Sequence, residues 1–277
     1  MKLGFVGTGA ITEAVVTGLM KSRTNISAVT VSPRSAHVAS RLAGKFPLVR
    51  VGVDNQDVVD SADIVFLAVR PQIAEEVVKS LRFREQQQVV SFIAAVQIEA
   101  LAGWIGVPVT ITRTIPLPFV AELRGVTAIY PPNEQVAGLF SSLGTAVQAE
   151  NLKQYDLFGA ASALMATYFG LLETSARWLE AEGMSYDQAS AYLKGLFGGL
   201  SHVTDASKEQ SFEAMASEFS TKGGLNEQVL TEFTGNGGTK ALTLALEIRP
   251  QAYRTELNYR APTSGCVRNS SQCSSIG

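Results

Sequence analysis

The chain has 277 residues, of which 46% are hydrophobic and 17% charged, and its formal net charge at pH 7 is −2. This composition is typical of a globular protein with a substantial core and one or two domains. The small net charge argues against general electrostatic binding to nucleic acid or to anionic membranes.

The sequence also bears on location and on metals. We find no apolar run that approaches the roughly 20 residues of a membrane span, and the start resembles a strand rather than a signal peptide, so we expect a cytoplasmic protein. Cys266 and Cys273 lie in a serine-rich stretch without periodic apolar residues. Residues 261–277 are therefore expected to form a disordered or non-native tail. We expect no metal site, because no spacing of ligand residues suits one.

Up to about residue 150, short apolar runs alternate with helical patterns. The runs predict strands within residues 2–7, 28–33, 49–52, 62–69, 88–93, 108–116 and 126–131. Helices are predicted at residues 11–21, 36–43, 72–80 and 98–103. This alternation predicts an α/β fold with a parallel, doubly wound sheet, and hence a Rossmann-type dinucleotide-binding domain over residues 1–150.

After residue 150 the strand pattern stops. Apolar residues recur at helical spacing for about thirty positions and continue in the same manner through later segments. The pattern predicts an all-helical domain over residues 151–260. Because such a long apolar helix is difficult to bury within about 110 residues, we expect this domain to form a homodimer or a higher homo-oligomer.

The segment GFVGTGAITEAVVTGL, starting at Gly4, predicts a strand, a glycine turn and a helix. Gly7 would permit the tight turn, and Gly9 would let a pyrophosphate approach the helix N-terminus. Thr12 stands where the usual fingerprint has a glycine or alanine for close packing. The alternative is a turn without a ligand. We predict that the pyrophosphate is held by Gly7, Thr8, Gly9, Ala10 and Ile11.

The end of the second predicted strand indicates which dinucleotide binds. Ser32-Pro33-Arg34-Ser35 stands where NAD-binding proteins place an acidic residue for the ribose hydroxyls. An arginine flanked by hydroxyls would bind a 2′-phosphate through charge-assisted hydrogen bonds. We therefore predict NADPH as the cofactor, with Ser32, Arg34 and Ser35 on the 2′-phosphate. The alternative is that Arg34 is a solvated loop residue.

Several segments together resemble the pyrroline-5-carboxylate reductase family, in its order and at about its spacing. They are GFVGTGAITEAVVTGL, VSPRSA, DIVFLAVRPQ, VVSFIAAV, RTIPLPF and FSTKGGLNEQVL, and they span nearly all of residues 1–260. The resemblance implies NADPH-dependent reduction of 1-pyrroline-5-carboxylate to proline, in a site between the strand ends of one chain and the helical domain of its partner. It also implies that the cofactor is lined by Ala68, Val69, Pro71 and Gln72, with Ala94 and Ala95 near the nicotinamide.

The chain departs from this family on the substrate side. Residues 115–118 read Ile-Pro-Leu-Pro where the family usually has Met-Pro-Asn-Thr-Pro, and residues 161–168 lack the family's glycines. The substrate loop, Thr-Ser-Pro-Gly-Gly-Thr-Thr in the family, reads Ser-Thr-Lys-Gly-Gly-Leu-Asn over residues 220–226. Asn226 aligns with the threonine that faces the imine nitrogen.

Imine reduction needs hydride delivery to carbon and a proton on nitrogen. An iminium is already electrophilic, so positioning would suffice, whereas a ketone would need a donor such as Lys or His. His37 and His202 are interpreted as structural. By resemblance, Thr221 and Asn226 are the predicted catalytic hydrogen-bond donors, and the predicted substrate-binding residues are Gly223, Gly224, Lys222 and Tyr168.

For these residues, purely structural interpretations also stay open. The glycine pair suits anion binding at a helix start, but it also suits a plain turn between helices. Tyr168 at helical spacing suits a core position as well as a pocket. At the level of function, the alternatives are a reductase of the same architecture that acts on another imine or a keto acid, and a non-catalytic NADP-binding protein.

Overall fold

The computed structural model describes residues 1–207 and 209–247. The predicted tail, residues 261–277, lies outside the described residues, together with both cysteines. Within the described part, one sheet of eight strands carries the N-terminal half of the chain. The strands are β1 Lys2–Val6, β2 Ala28–Val31, β3 Val49–Val51, β4 Ile64–Leu67, β5 Gln88–Ser91, β6 Thr110–Pro116, β7 Gly125–Tyr130 and β8 Gly144–Gln148.

The sheet is mostly parallel, in the order β3-β2-β1-β4-β5-β6-β7-β8. Neighbours from β3 to β6 pair in parallel, β6 and β7 pair antiparallel, and β7 and β8 pair in parallel. The predicted Rossmann-type α/β fold is confirmed. The antiparallel pair was not predicted, because direction cannot be read from the alternation of short apolar runs.

Helices cover both faces of the sheet. One face carries α1 Ala10–Lys21, α2 Ala36–Lys45 and α6 Glu134–Ser141, and the other carries α3 Asn55–Asp60, α4 Pro71–Lys79 and α5 Ile98–Ile105. Alternate strand residues enter the two cores, as a pleated strand requires. Phe5 and Phe66, for example, stack in the first core with ring centroids 4.4 Å apart.

The rest of the described chain is helical. Its helices are α7 Leu152–Ser162, α8 Leu164–Ala181, α9 Tyr186–Ala206, α10 Phe212–Glu218, α11 Leu225–Gly235 and α12 Gly238–Glu247. The predicted thirty-residue helix is divided at Ala163, where the Ser162 hydroxyl bonds the Gly159 carbonyl at 2.6 Å and competes with the helical ladder. α7 packs on β7, and α8 packs on α9.

The helical half buries little of its own apolar surface. α8 and α9 share a small core of Ala176, Ala189 and Leu193, while the described residues of α11 and α12 include no buried side chain. Large exposed apolar side chains include Phe169, Leu171, Trp178, Tyr192, Leu225, Val229 and Phe233. We call this group the exposed apolar surface.

One segment, Leu152–Ala181, is long and apolar enough by length and composition to cross a membrane, and none of its most apolar window is buried. The expectation that no run approaches a membrane span was therefore too strict, because it required an unbroken apolar run rather than a high average. The segment consists of α7 and α8 and belongs in part to the exposed apolar surface.

Candidate active site

The strand order reverses at β1. Strands β2 and β3 lie on one side of β1, and β4 and β5 lie on the other. In open α/β sheets, ligands bind outside the carboxyl ends of the strands at such a switch point. The turn after β1 and the exit from β4 meet here, since a Cβ atom placed on Gly7 would collide with the Ala68 carbonyl. We call this rim of the sheet the cofactor edge.

Gly7 forms the turn that leaves β1, with φ at +103°. Both of its backbone polar groups are occupied. Its N–H donates to the Ser32 hydroxyl at 2.9 Å, and its carbonyl accepts from the Thr12 hydroxyl at 2.7 Å. Gly7 therefore shapes the turn, and a direct bond from its N–H to the predicted pyrophosphate would require the bond to Ser32 to break.

The N-terminus of α1 provides unpaired donors instead. Gly9 is the N-cap, and no side chain caps the helix. The N–H groups of Gly9, Ala10 and Ile11 donate no hydrogen bond to any described residue. A Cβ atom at Gly9 would meet nothing within 4 Å, so space is open above the turn. This arrangement fits an anionic diphosphate at a helix N-terminus.

Ser32 directly follows β2 and is buried. Its hydroxyl accepts from Gly7, and the Thr8 hydroxyl donates to the Ser32 carbonyl at 2.7 Å and lies 3.0 Å from the Ser32 hydroxyl. The Ser32 N–H is paired with the Phe5 carbonyl. Because every polar group of Ser32 is engaged, a direct contact with the predicted 2′-phosphate would require one of these bonds to break. The Thr8 hydroxyl is engaged in the same bonds, whereas the Thr8 N–H donates no hydrogen bond to any described residue.

Arg34 and Ser35 remain available for a 2′-phosphate. Arg34 is exposed and forms no hydrogen bond or ion pair within the described part of the chain. Ser35 is the N-cap of α2, and its hydroxyl makes no capping hydrogen bond. The unpaired hydroxyl, the first N–H groups of α2 and the guanidinium therefore lie on adjacent residues and suit a phosphate dianion.

An ion pair between Glu13 and Arg41, which we call the charge clamp, joins α1 and α2 beside the glycine turn and the Arg34 loop. The Arg41 guanidinium donates to both Glu13 carboxylate oxygens at 2.7 and 2.8 Å. This pairing lowers the pKa of Glu13 below its ordinary value. Arg41 also donates to Nδ1 of His37 at 2.9 Å. The clamp balances a carboxylate in the first turn of α1, where it would otherwise repel a bound diphosphate.

The exits of β4 and β5 continue the cofactor edge. Ala68 and Val69 are half-buried, Gln72 and Ala94 are exposed, and Pro71 is the first residue of α4. Ala95 adopts a left-handed backbone with φ at +61°. A side chain in this region is strained, and such strain concentrates at functional sites. The structure therefore brings the predicted cofactor-lining residues together along one edge.

Arg113 was missed by the sequence analysis. It is 4% exposed, and its β6 position is level with Ser91 at the end of β5. Its Nη1 donates to Gln97 at 3.3 Å, its guanidinium lies 4.7 Å from the Tyr155 ring centroid, and its Nε has no partner. An arginine within an apolar strand, PVTITRTIP, was the available signal. Through these contacts with Gln97 and Tyr155, Arg113 connects the loop that contains Ala94 and Ala95 with α7, the first helix of the helical half.

No hydrogen bond joins the predicted substrate loop to the cofactor edge within the described part of the chain. All hydrogen bonds that the described part of the chain shows for residues 209–247 are local to residues 207–247. Tyr168 is 42% exposed and its ring contacts only Phe169 and Phe197 among the described aromatic residues.

Inside this loop, three of the predicted binding or donor residues, Gly223, Gly224 and Asn226, already donate hydrogen bonds. The Gly223 N–H donates to the Glu227 carboxylate at 2.6 Å, and the Gly224 N–H donates to the Thr221 carbonyl at 2.8 Å. The Asn226 amide donates to the Phe219 carbonyl at 2.8 Å. Carboxylate binding by the Gly223 N–H would therefore require Glu227 to move, and binding by the Gly224 N–H would require its bond to Thr221 to break. Lys222 is exposed. No group of three potential metal ligands occurs among the described residues.

Comparisons with known proteins can now be set beside this geometry. Residues 2–95 match a family model described as "NADP oxidoreductase coenzyme F420-dependent". The pyrroline-5-carboxylate reductase of Pseudomonas aeruginosa is 25% identical over 260 residues, covering 90% of this chain and 94% of that protein.

Solved structures show the same fold. A pyrroline-5-carboxylate reductase from Coxiella burnetii superposes with a TM-score of 0.80 at 20% identity, covering 91% of this chain and 97% of the other. The Plasmodium falciparum pyrroline carboxylate reductase, solved with NADP bound, gives 0.74 at 19% identity, covering 92% and 97%. With the sequence matches along almost the whole chain, these results show that the protein is similar to pyrroline-5-carboxylate reductases in sequence and in fold.

Proposed function

We propose that this NAD(P)H-dependent oxidoreductase uses NADPH to reduce the C=N bond of a cyclic imine, and that the imine is 1-pyrroline-5-carboxylate, giving proline in the cytoplasm. The observation that carries the proposal is the cofactor edge, with unpaired N–H groups at Gly9, Ala10 and Ile11 and the exposed Arg34 beyond β2. NADPH, when bound, supplies the hydride. The similarity to pyrroline-5-carboxylate reductases supports the choice of an imine.

The role of the protein in this chemistry is mainly to bind and orient the cofactor and the imine. The α1 N-terminus and the Arg34 loop would hold the two phosphate groups of the cofactor. Ala94 and Ala95 would lie beside its reactive ring. Since the imine nitrogen is basic and its protonated form is electrophilic, hydrogen bonds from Thr221 and Asn226 would suffice to place it.

We further propose that the site is completed by a second copy of the chain. The substrate loop has no hydrogen bond to its own cofactor edge among the described residues, and the exposed apolar surface is too large for an isolated soluble chain. A homodimer that buries this surface would bring the loop of one chain to the cofactor edge of the other. Light scattering is expected to give at least twice the 29.5 kDa mass of the chain.

A mixing experiment tests the shared site. Gly9→Asp places a carboxylate at the diphosphate position, and the double variant Thr221→Ala, Asn226→Ala removes the proposed donors. Each variant alone is expected to be inactive. Statistical mixed dimers would contain one intact site in every heterodimer, so refolding or coexpressing the two should restore about a quarter of wild-type activity. No restoration, with heterodimers demonstrated, would refute the shared site.

The substrate assignment is tested by NADPH oxidation with 1-pyrroline-5-carboxylate at neutral pH, with NADH run in parallel. We expect turnover and a preference for NADPH. NADPH binding without turnover would exclude proline formation. A panel of other cyclic imines and keto acids would then separate a reductase with altered specificity, which the changed substrate loop allows, from a protein that binds NADP without catalysis.

A further inference from the structure

Three hydroxyl groups hold the turn after β1. Ser32 accepts from the Gly7 N–H, Thr12 donates to the Gly7 carbonyl, and Thr8 donates to the Ser32 carbonyl. Thr8, Thr12 and Ser32 are each at most 2% exposed. We call these three residues the hydroxyl frame. Its bonds join β1, β2 and α1 at the point where the cofactor's diphosphate would bind.

Thr12 is unusual at its position in the glycine fingerprint, where a small residue normally allows the helix to pack closely on the strand. Here the larger side chain is accommodated with no exposure, and its hydroxyl reaches back to Gly7 at 2.7 Å. The substitution therefore adds a hydrogen bond across the turn.

We propose that Thr12 and Ser32 are positioning residues for NADPH. They hold the two peptide groups that flank Gly7 in a fixed orientation, and they do not touch the cofactor themselves. This inference deepens the proposed function and rests on its cofactor site. A carbonyl oxygen directed at a diphosphate would repel it, and the Thr12 hydroxyl holds the Gly7 carbonyl away in a buried bond. The N–H groups of Gly9, Ala10 and Ile11 are then the ones that face the anion.

Ser32 extends the effect to the second phosphate of the cofactor. Its side chain bonds the first glycine of the turn, and its backbone leads directly into the loop that carries Arg34. Ser32, a single buried residue, therefore fixes the distance between the turn that would bind the diphosphate and the loop that would bind the 2′-phosphate. Loss of the Ser32 hydroxyl should weaken NADPH more than NADH, because only NADPH uses both loops.

The decisive comparison is Thr12→Val against Thr12→Ser in the full-length protein. Valine keeps the shape of threonine but leaves the buried Gly7 carbonyl without a partner, whereas serine keeps the hydroxyl. We expect Thr12→Val to raise the Kd of NADPH about tenfold, and Thr12→Ser to stay within about twofold of wild type. Cofactor fluorescence gives the Kd, and thermal unfolding without cofactor reports the fold.

A second variant, Ser32→Ala, keeps the inference testable if Thr12→Val does not fold. It should lower the ratio of NADPH to NADH affinity by at least about threefold. Unchanged Kd values in Thr12→Val or an unchanged ratio in Ser32→Ala would overturn the inference, even if thermal stability falls. A wild-type protein that binds no NADPH at all would instead refute the proposed function, so the two failures are distinguishable.

Discussion

Replacing Gly7 by alanine is expected to destabilise the protein by about 2–4 kcal/mol and to weaken NADPH binding at least ~100-fold. Two effects add. Gly7 has φ at +103°, which L side chains rarely adopt, and its new Cβ atom would collide with the Ala68 carbonyl at the exit of β4. Either the turn or that exit must move, and both line the cofactor edge. Denaturant unfolding and fluorescence titration measure the two losses.

Two other glycines provide matched controls. Gly9→Ala adds the same methyl group where nothing lies within 4 Å, so folding stability should be unchanged while NADPH affinity falls. Gly44→Ala lies in α2 with open space around it and should stabilise the protein by about 0.5–1 kcal/mol. If Gly7→Ala kept wild-type stability and affinity, the tight turn described for Gly7 would be wrong.

Arg34→Ala is expected to reduce the preference for NADPH over NADH by about 10- to 100-fold. The exposed guanidinium has no partner among the described residues, so its removal costs little stability. The loss should appear as a higher KM for NADPH, with the values for NADH nearly unchanged. Steady-state kinetics with both cofactors provide the measurement.

Arg23→Ala is the matched control for Arg34. It removes the same charge from another exposed residue, which follows the C-terminal end of α1 and lies remote from the glycine turn. A general electrostatic effect on a polyanionic cofactor would lower NADPH affinity in both variants. Equal losses would therefore argue that Arg34 acts through net charge and not as a 2′-phosphate ligand.

The sequence predicted the N-terminal fold well because its signals are local. Buried strands such as β4 read as continuous apolar runs, and the glycine turn stands directly between a strand and a helix. β8 was missed because its residues are mostly half-exposed and give no run or alternation. α3 was missed because it is only 6 residues long, and α6 was missed as well.

The site was predictable in its location but not in its hydrogen bonding. Gly7 and Ser32 were assigned to the phosphates, whereas their polar groups bond each other. Such a pairing joins residues 25 positions apart, and no local pattern encodes it. In the proposed dimer the substrate side would depend on contacts between two chains, and so Thr221 and Asn226 stay predictions.

The single antiparallel pair, β6 with β7, decides where the helical half begins. The register of β7 and β8 keeps the chain beside the cofactor edge, because Tyr130 pairs with Arg113, Ile129 pairs with Thr114, and Gln148 pairs with Ile129. Arg113 is itself level with Ser91 at the end of β5, so the helical half begins next to this edge. α7 then continues in the direction of β6, from Tyr155 beside Tyr130 to Gly159 beside Ile115. The start of α8 is thereby brought to the rim where hydride transfer would occur.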